Sequence, residues 1–258
     1  MPAQAERAQQ FHQLHIKGNP LTLFNAWDAG SAQAVARGGA KAIATGSWSV
    51  AAANGMADGE DLPLDVAIAN AARIVSAVDL PVTIDFEAGY GKTPAEVGES
   101  VARLLATGAI GVNIEDRFIG KPGLQAPLDQ AARLSAARRA ADATGVPLFI
   151  NARTDIFLNA PAVEHSDAMV DDALMRAKIY ADAGGSGFFV PGLINEALLE
   201  RVCRDSPLPV NVMMFSGAPS PMRLAELGVA RISHGPGPYR AMVKWLEGAA
   251  KEIYSPAG

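Results

Sequence analysis

Three polar sets stand out in the chain: Asp85 with Glu87, Asn113 with Glu115, and Asn151 with Arg153 and Asp155, each closing a short apolar run. Residues two apart in an extended strand share a face, so each set is expected to project to one side of its strand. If those strands are neighbours in a parallel barrel, their acids and one guanidinium converge at its mouth. Carboxylates packed that closely repel one another unless a divalent cation sits among them. An all-oxygen shell suits a hard ion such as Mg²⁺ or Mn²⁺. The spacing therefore predicts a metal site built from Asp85, Glu87 and Glu115. Arg153 is then the candidate for a bidentate grip on a substrate carboxylate, with Asn113 and Asn151 as neutral contacts on the same faces.

Eight β-like runs, at 21–27, 42–47, 82–87, 111–115, 148–153, 187–191, 210–215 and 231–234, alternate with helical stretches. Thr93-Pro94-Ala95-Glu96 reads as an N-cap, a proline at the first helical position and an acid in the first turn. Gly108, Gly145, Gly184 and Gly228 fall where helices should stop. The run Gly187-Phe188-Phe189-Val190 is apolar on both faces, as suits a parallel strand covered by helices. No linker or low-complexity tract divides the chain. The expectation is one domain over 1–258, an α/β fold of the (β/α)8 TIM-barrel type preceded by an N-terminal helix, with a doubly wound open sheet as the rival. In such a barrel the active site lies at the carboxyl ends of the strands, where every polar set above is found.

A chain of 258 residues with 49% hydrophobic residues can bury a large core. A net charge of -5 and the absence of any basic run argue against a nucleic-acid partner. No stretch has the length and apolarity of a signal peptide or a bilayer span, so neither a membrane partner nor export is expected and a cytoplasmic location is. Cys203 is the single cysteine, which rules out an internal disulfide and fits a reducing compartment; its neighbours Leu198, Leu199 and Val202 place it in a helix core.

The strings Asn25-Ala26-Trp27-Asp28-Ala29-Gly30-Ser31-Ala32, Asp85-Phe86-Glu87-Ala88-Gly89-Tyr90-Gly91, Asn113-Ile114-Glu115-Asp116 and Asn151-Ala152-Arg153-Thr154-Asp155 resemble the isocitrate lyase / phosphoenolpyruvate mutase superfamily. The resemblance runs from about Phe11 to Arg240. It implies the same barrel, a Mg²⁺-bound 2-oxo acid or enolate, and a homo-oligomer, usually a dimer of dimers with exchanged helices; here the chain ends soon after Ile253, which would shorten that exchange. Asp85 and Glu87 fall in the family's D-x-D-x-G-[YF]-G metal motif, with Glu87 in place of the commoner aspartate. Glu115 matches the metal-linked glutamate and Arg153 the substrate-contacting arginine. Asp58 matches a loop aspartate that acts at the metal site, and Gly46-Ser47-Trp48 the place where backbone N–H groups receive the substrate carboxylate. The implied catalytic set is Arg153, Asp58 and Glu115.

The departure is equally informative. Lyases of the family carry K-K-C-G-H after the E-D motif, the cysteine acting as acid or base, whereas this chain reads Arg117-Phe118-Ile119-Gly120-Lys121-Pro122-Gly123-Leu124. The leading expectation is a Mg²⁺-dependent lyase that cleaves a C–C bond of a small 2-oxo or 2-hydroxy carboxylic acid through a stabilised enolate, like an oxaloacetate decarboxylase or a substituted-malate lyase. The alternative is phosphoenolpyruvate/phosphonopyruvate mutation or phosphonopyruvate hydrolysis, for which Lys92, Lys121 and Arg153 would supply cations. A non-catalytic metabolite-binding barrel is the third. His12 and His15 share a helix face that is expected to be solvated or packed, and His165 is expected at the surface. His234, closing the last strand, and Trp27 and Trp48, near strand ends, are candidates for lining the pocket. Tyr239, Met242, Val243, Trp245 and Leu246 give the last helix more apolar surface than a lone barrel helix needs.

Overall fold

The structure is a computed structural model and describes residues 3–255. Eight strands form one parallel sheet: β1 (Leu21–Leu23), β2 (Ile43–Ala44), β3 (Val82–Asp85), β4 (Gly111–Glu115), β5 (Phe149–Arg153), β6 (Gly187–Phe189), β7 (Val210–Met213) and β8 (Arg231–Ser233). Their order is β1-β8-β7-β6-β5-β4-β3-β2, so the first strand pairs with the last. The remaining seam, between β1 and β2, is bridged at Ala26 and Thr45 and clipped by Asn25 Nδ2, which donates to the Thr45 carbonyl at 2.7 Å. This is the expected (β/α)8 barrel, and the cyclic order excludes the doubly wound alternative.

Every expected strand is present, and seven are shorter than the apolar runs suggest. The residues lost lie mainly at the carboxyl ends, where the chain leaves the ladder to build loops. Ser47 illustrates this. It was expected to close a strand and instead opens a short helix, α3 (Ser47–Ala53). The other helices are α1 (Gln4–Gln13), α2 (Ala29–Arg37), α4 (Leu64–Ala77), α5 (Pro94–Leu105), α6 (Pro127–Thr144), α7 (Asp167–Asp182), α8 (Glu196–Asp205), α9 (Pro221–Glu226) and α10 (Gly237–Tyr254). Thr93 caps α5 as its sequence predicts, in a reciprocal box with Glu96. No helix is long and apolar enough to cross a membrane among the described residues.

The core is the layer of Val, Ile, Leu, Phe and Ala side chains between strands and helices. At the amino end of the barrel α1 acts as a plug. Phe11 meets Phe149 edge-on with centroids 5.3 Å apart, and His15 stacks on the same ring at 4.0 Å. The histidine face of α1 is thus a packing face. Inside the barrel, Gly187 leaves room that no other residue could, since a β-carbon there would lie 2.8 Å from Asn151 Oδ1 and from the Phe149 ring.

Candidate active site

The register brings the polar sets together as their spacing implies. Asp85 lies beside Asn113, Asn113 beside Asn151, and Glu115 beside Arg153. A cavity of about 190 Å³ opens at this end of the barrel, lined by Gly46, Ser47, Trp48, Asp58, Asp85, Asn113, Arg117 and Arg153 among others. Larger clefts lie among the loops beyond the same strand ends, and one of them shares Asp58 and Arg117 with the cavity rim. Asn151 is not on the cavity wall. It sits in the tier beneath, where its Nδ2 donates to Asn113 Oδ1 at 2.9 Å, joined by Arg231 Nη2 at 3.3 Å. Two donors on that oxygen fix the Asn113 amide, so its Nδ2 points at Asp85 Oδ1, 3.3 Å away. The Ser47 backbone N–H donates to the other Asp85 oxygen at 3.0 Å. That amide, expected to receive a substrate carboxylate, is therefore committed to holding Asp85.

Arg153 is almost wholly enclosed and braced from two sides. Its Nε and Nη2 fork onto Asp155 at 2.6 and 3.0 Å, and its Nη1 reaches Glu115 at 2.7 Å. Burial works against its charge, but Glu115 and Asp155 overcome that and hold the guanidinium above its ordinary range. Three of its five N–H donors are engaged, which leaves two for a ligand. Glu115 is fully buried. Burial drives its carboxyl well above the usual range while Arg153 pulls it back. Its other neighbour is Arg117, whose Nε lies 3.2 Å from Glu115 and whose Nη1 lies 4.0 Å from Asp58. Arg117 was not singled out by the sequence reading, although its position two residues beyond Glu115 puts it on the same side. The partner acid of Glu115, Asp116, faces away from the cavity, as the alternation requires. It accepts from Tyr180 Oη and Arg176 Nη1 at 2.9 and 3.1 Å and from the Asp155 amide at 3.1 Å, and so anchors the brace behind Arg153.

Glu87 lies elsewhere than its motif suggests. It follows the end of β3 with φ of +49°, so the period-two rule no longer governs its direction. Its Oε2 accepts from the Gly59 and Glu60 amides at 2.6 and 2.5 Å, and its Oε1 accepts from Tyr90 Oη at 3.1 Å. Burial, reinforced by Asp58, raises the Glu87 carboxyl to about 7. With Glu87 turned to the loop and Glu115 between two arginines, no group of three or more Asp, Glu, His or Cys side chains is disposed around a common metal point among the described residues. Two carboxylates, Asp85 and Asp58, do line the cavity together. Asp58 Oδ1 is buried without a partner, and its carboxyl is raised first by burial and then by the charge of Asp85. An orphaned oxygen facing a like charge is what a cation relieves, and Mg²⁺ commonly binds through one or two carboxylates while keeping several waters. The residues fit such an ion, with Asp85 and Asp58 as its holders.

The remaining candidates are placed plainly. Trp48 walls the cavity and Arg240 stacks over it at 4.4 Å, whereas Trp27 packs edge-on against Tyr239 outside it. His234 leans on Phe24, leaving its neighbours Gly235 and Pro236 at the cavity. His165, expected at the surface, is half-buried and bonds the Phe157 and Ala160 carbonyls. Cys203 is buried in α8, and burial pushes its thiol up to about 12. Lys121 lies over the Phe118 ring at 3.9 Å on the loop beside the mouth.

Comparison with known proteins places the chain in a family. The Phosphoenolpyruvate phosphomutase family model matches residues 11–254. A candidate phosphonomutase from Burkholderia cenocepacia J2315 is 50% identical, with a TM-score of 0.95, over 97% of this chain and 99% of that one. The 2-methylisocitrate lyase of Escherichia coli strain K12 is 30% identical over 250 residues, 93% of this chain and 80% of that protein. A phosphonopyruvate hydrolase solved with oxalate and Mg²⁺ shares the fold with a TM-score of 0.81 at 20% identity, over 96% of this chain and 86% of that one.

Proposed function

The chain belongs to the phosphoenolpyruvate phosphomutase family within the isocitrate lyase superfamily, and from that premise we propose that it is a divalent-metal-dependent lyase cleaving a C–C bond of a small 2-oxo or 2-hydroxy acid. The family is one of enzymes that includes C–C lyases. The observation that carries the reading is the cavity in which Asp85 and Asp58 face Arg153 and Arg117. Such a wall suits an anionic substrate that must also approach carboxylates. Held by Asp85 and Asp58, Mg²⁺ or Mn²⁺ would supply Lewis-acid polarisation of a 2-oxo group. The two free N–H donors of Arg153 orient the substrate carboxylate, and its charge, with that of Arg117, stabilises the negative charge that appears as the C–C bond breaks. Asn113 and the Ser47 amide keep Asp85 in place throughout. Trp48 covers the wall beside them and excludes water there.

Decarboxylation of an oxaloacetate-type substrate needs little beyond these groups, because CO₂ leaves without taking a proton and the pyruvate enolate left behind can take its proton from water. Cleavage of a substituted malate also needs a base for the hydroxyl and an acid for the product. The 117–124 segment offers no cysteine, and Cys203 lies buried in α8 with a thiol burial keeps protonated. Isocitrate and 2-methylisocitrate are therefore expected to be poor substrates; brisk glyoxylate or pyruvate release from either would show that another acid serves. The second reading, phosphonopyruvate mutation or hydrolysis, draws on the 50% identical candidate phosphonomutase and on Arg117 and Lys121 at the mouth. A screen of oxaloacetate, phosphonopyruvate and substituted malates with Mg²⁺, read by product NMR, decides between them. Pyruvate and CO₂ from oxaloacetate support the lyase, P–C chemistry supports the alternative, and silence on all three defeats both.

A further inference from the structure

Asp58 reaches the cavity from a loop, the 57–61 turn between α3 and α4, and nothing in the barrel ladder holds that loop. Its attachment is the turn after β3. Glu87 Oε2 takes the Gly59 and Glu60 amides at 2.6 and 2.5 Å, and Glu60 Oε1 returns the grip by accepting the Tyr90 amide at 2.7 Å. The Tyr90 hydroxyl steadies the other Glu87 oxygen at 3.1 Å. Glu87 is 3% exposed and makes no ion pair among the described residues, so these hydrogen bonds are the compensation for its desolvation. Three non-glycine residues have left-handed backbone among the described residues, Glu60, Glu87 and Tyr90, with φ of +61°, +49° and +52°. All three are members of this one cluster. Residues with a β-carbon keep that conformation where surrounding contacts over-determine it, and such sites gather at clamps and switches.

We propose that Glu87 is a positioning residue, a latch that holds the 57–61 loop over the barrel mouth and thereby presents Asp58 to the cavity. The length of the side chain matters. An aspartate at this position would fall short by one C–C bond, about 1.5 Å, and could not span to both amides from the same backbone. The family's commoner aspartate and this chain's glutamate would thus do different work, and the loop that carries Asp58 is fastened here by a carboxylate the motif assigns to metal. The inference rests on the reading that Asp58 acts at the cavity, and its test is arranged to stand apart from turnover.

The measurement is backbone hydrogen exchange by mass spectrometry on the metal-free, substrate-free protein, in wild type, Glu87→Asp, Glu87→Gln and Tyr90→Phe, with melting curves to confirm folding. The peptide covering 57–61 should exchange roughly tenfold faster or more in Glu87→Asp, since losing a pair of hydrogen bonds to a charged group shifts local opening by that order. Peptides from β4 and β5 should be unchanged. Tyr90→Phe, which leaves the carboxylate in place, should give a smaller acceleration in the same peptide. Mn²⁺ titration followed by electron paramagnetic resonance supplies the second arm. If Glu87 acts through Asp58, adding Glu87→Gln to Asp58→Ala should weaken Mn²⁺ binding little beyond Asp58→Ala alone. Unchanged exchange at 57–61 in both Glu87 variants overturns the latch, and so does a fully additive loss of Mn²⁺ affinity, which would make Glu87 a ligand in its own right. Failure of every 2-oxo acid in the turnover screen would instead sink the lyase reading and leave the exchange result standing.

Discussion

Arg153 shows why the site depends on geometry as much as charge. Its planar fork is matched by Asp155 on one edge and Glu115 at Nη1, so the guanidinium is held at a fixed angle in the cavity wall. Arg153→Lys keeps the charge but loses the fork on both sides, and should cost about 2–4 kcal/mol in kcat/KM, the scale of removing one oriented catalytic donor. A variant with near wild-type kcat/KM on the true substrate would make the arginine structural. Asp85→Ala should abolish turnover by loosening the ion, with partial recovery at high Mg²⁺; calorimetry showing unaltered Mn²⁺ affinity in that variant would remove Asp85 from the metal site. Asp85, Asn113, Glu115 and Arg153 were legible in the sequence because they lie on strands, where period two fixes direction. Glu87 was not, because the strand ends at Asp85 and a left-handed residue turns the side chain to the loop. Arg117 stands just past the end of β4, and the same alternation that places Glu115 could have found it had the pattern been followed two residues beyond the strand. Asp58 could be placed only through family resemblance.

At the scale of elements, α1 is legible as a helix, but its task as a barrel plug appears only in three dimensions. His15 stacks on Phe149, its Nδ1 bonds the Phe11 carbonyl at 2.8 Å, and its Nε2 is buried without a partner. Burial, with the nearby Arg231 charge, lowers its pKa from 6.5 to about 3. Between those values the unfolded chain binds a proton that the folded one refuses. Stability from this group is therefore present above pH 6.5 and falls as the pH drops toward 3, by up to about 1.4 kcal/mol per pH unit. Burial shifts His12 in the same direction, so part of the slope belongs to it. His15→Phe keeps a ring on Phe149 and removes the titration, and its denaturation midpoint should vary less between pH 6.5 and 4.5 than that of wild type. Parallel curves for the two proteins would assign the acid sensitivity elsewhere. The strands tell the complementary story: their apolar cores and helix caps are local signals and were readable, while their carboxyl ends, where runs at 21–27 and 42–47 shrink to Leu21–Leu23 and Ile43–Ala44, yield to the loops that build the cavity.

For the whole molecule, α10 poses a problem the isolated chain does not solve. It runs for 18 residues, and Pro238 at its start is its one fully buried residue among those described. Trp245, Leu246, Ile253 and Tyr254 are 69%, 54%, 78% and 84% exposed, and with Met242 they follow the three-to-four spacing of one helical stripe. Single exposed apolar residues are ordinary on a protein surface, but a contiguous stripe is the kind of surface that an interface covers. The family resemblance suggests what covers it, the same helix region of a second copy, in a dimer that pairs again. The expected outcome is a homotetramer, with a mass by light scattering near four times 26.8 kDa at micromolar concentration. Trp245→Lys with Leu246→Lys places two cations in that stripe at positions that are mostly exposed in the single chain, so it should dissociate the assembly and leave the far-ultraviolet spectrum of the folded chain in place. A wild-type protein that runs as a monomer under those conditions would reject the interface, and a dimer that resists the double substitution would place it on another face.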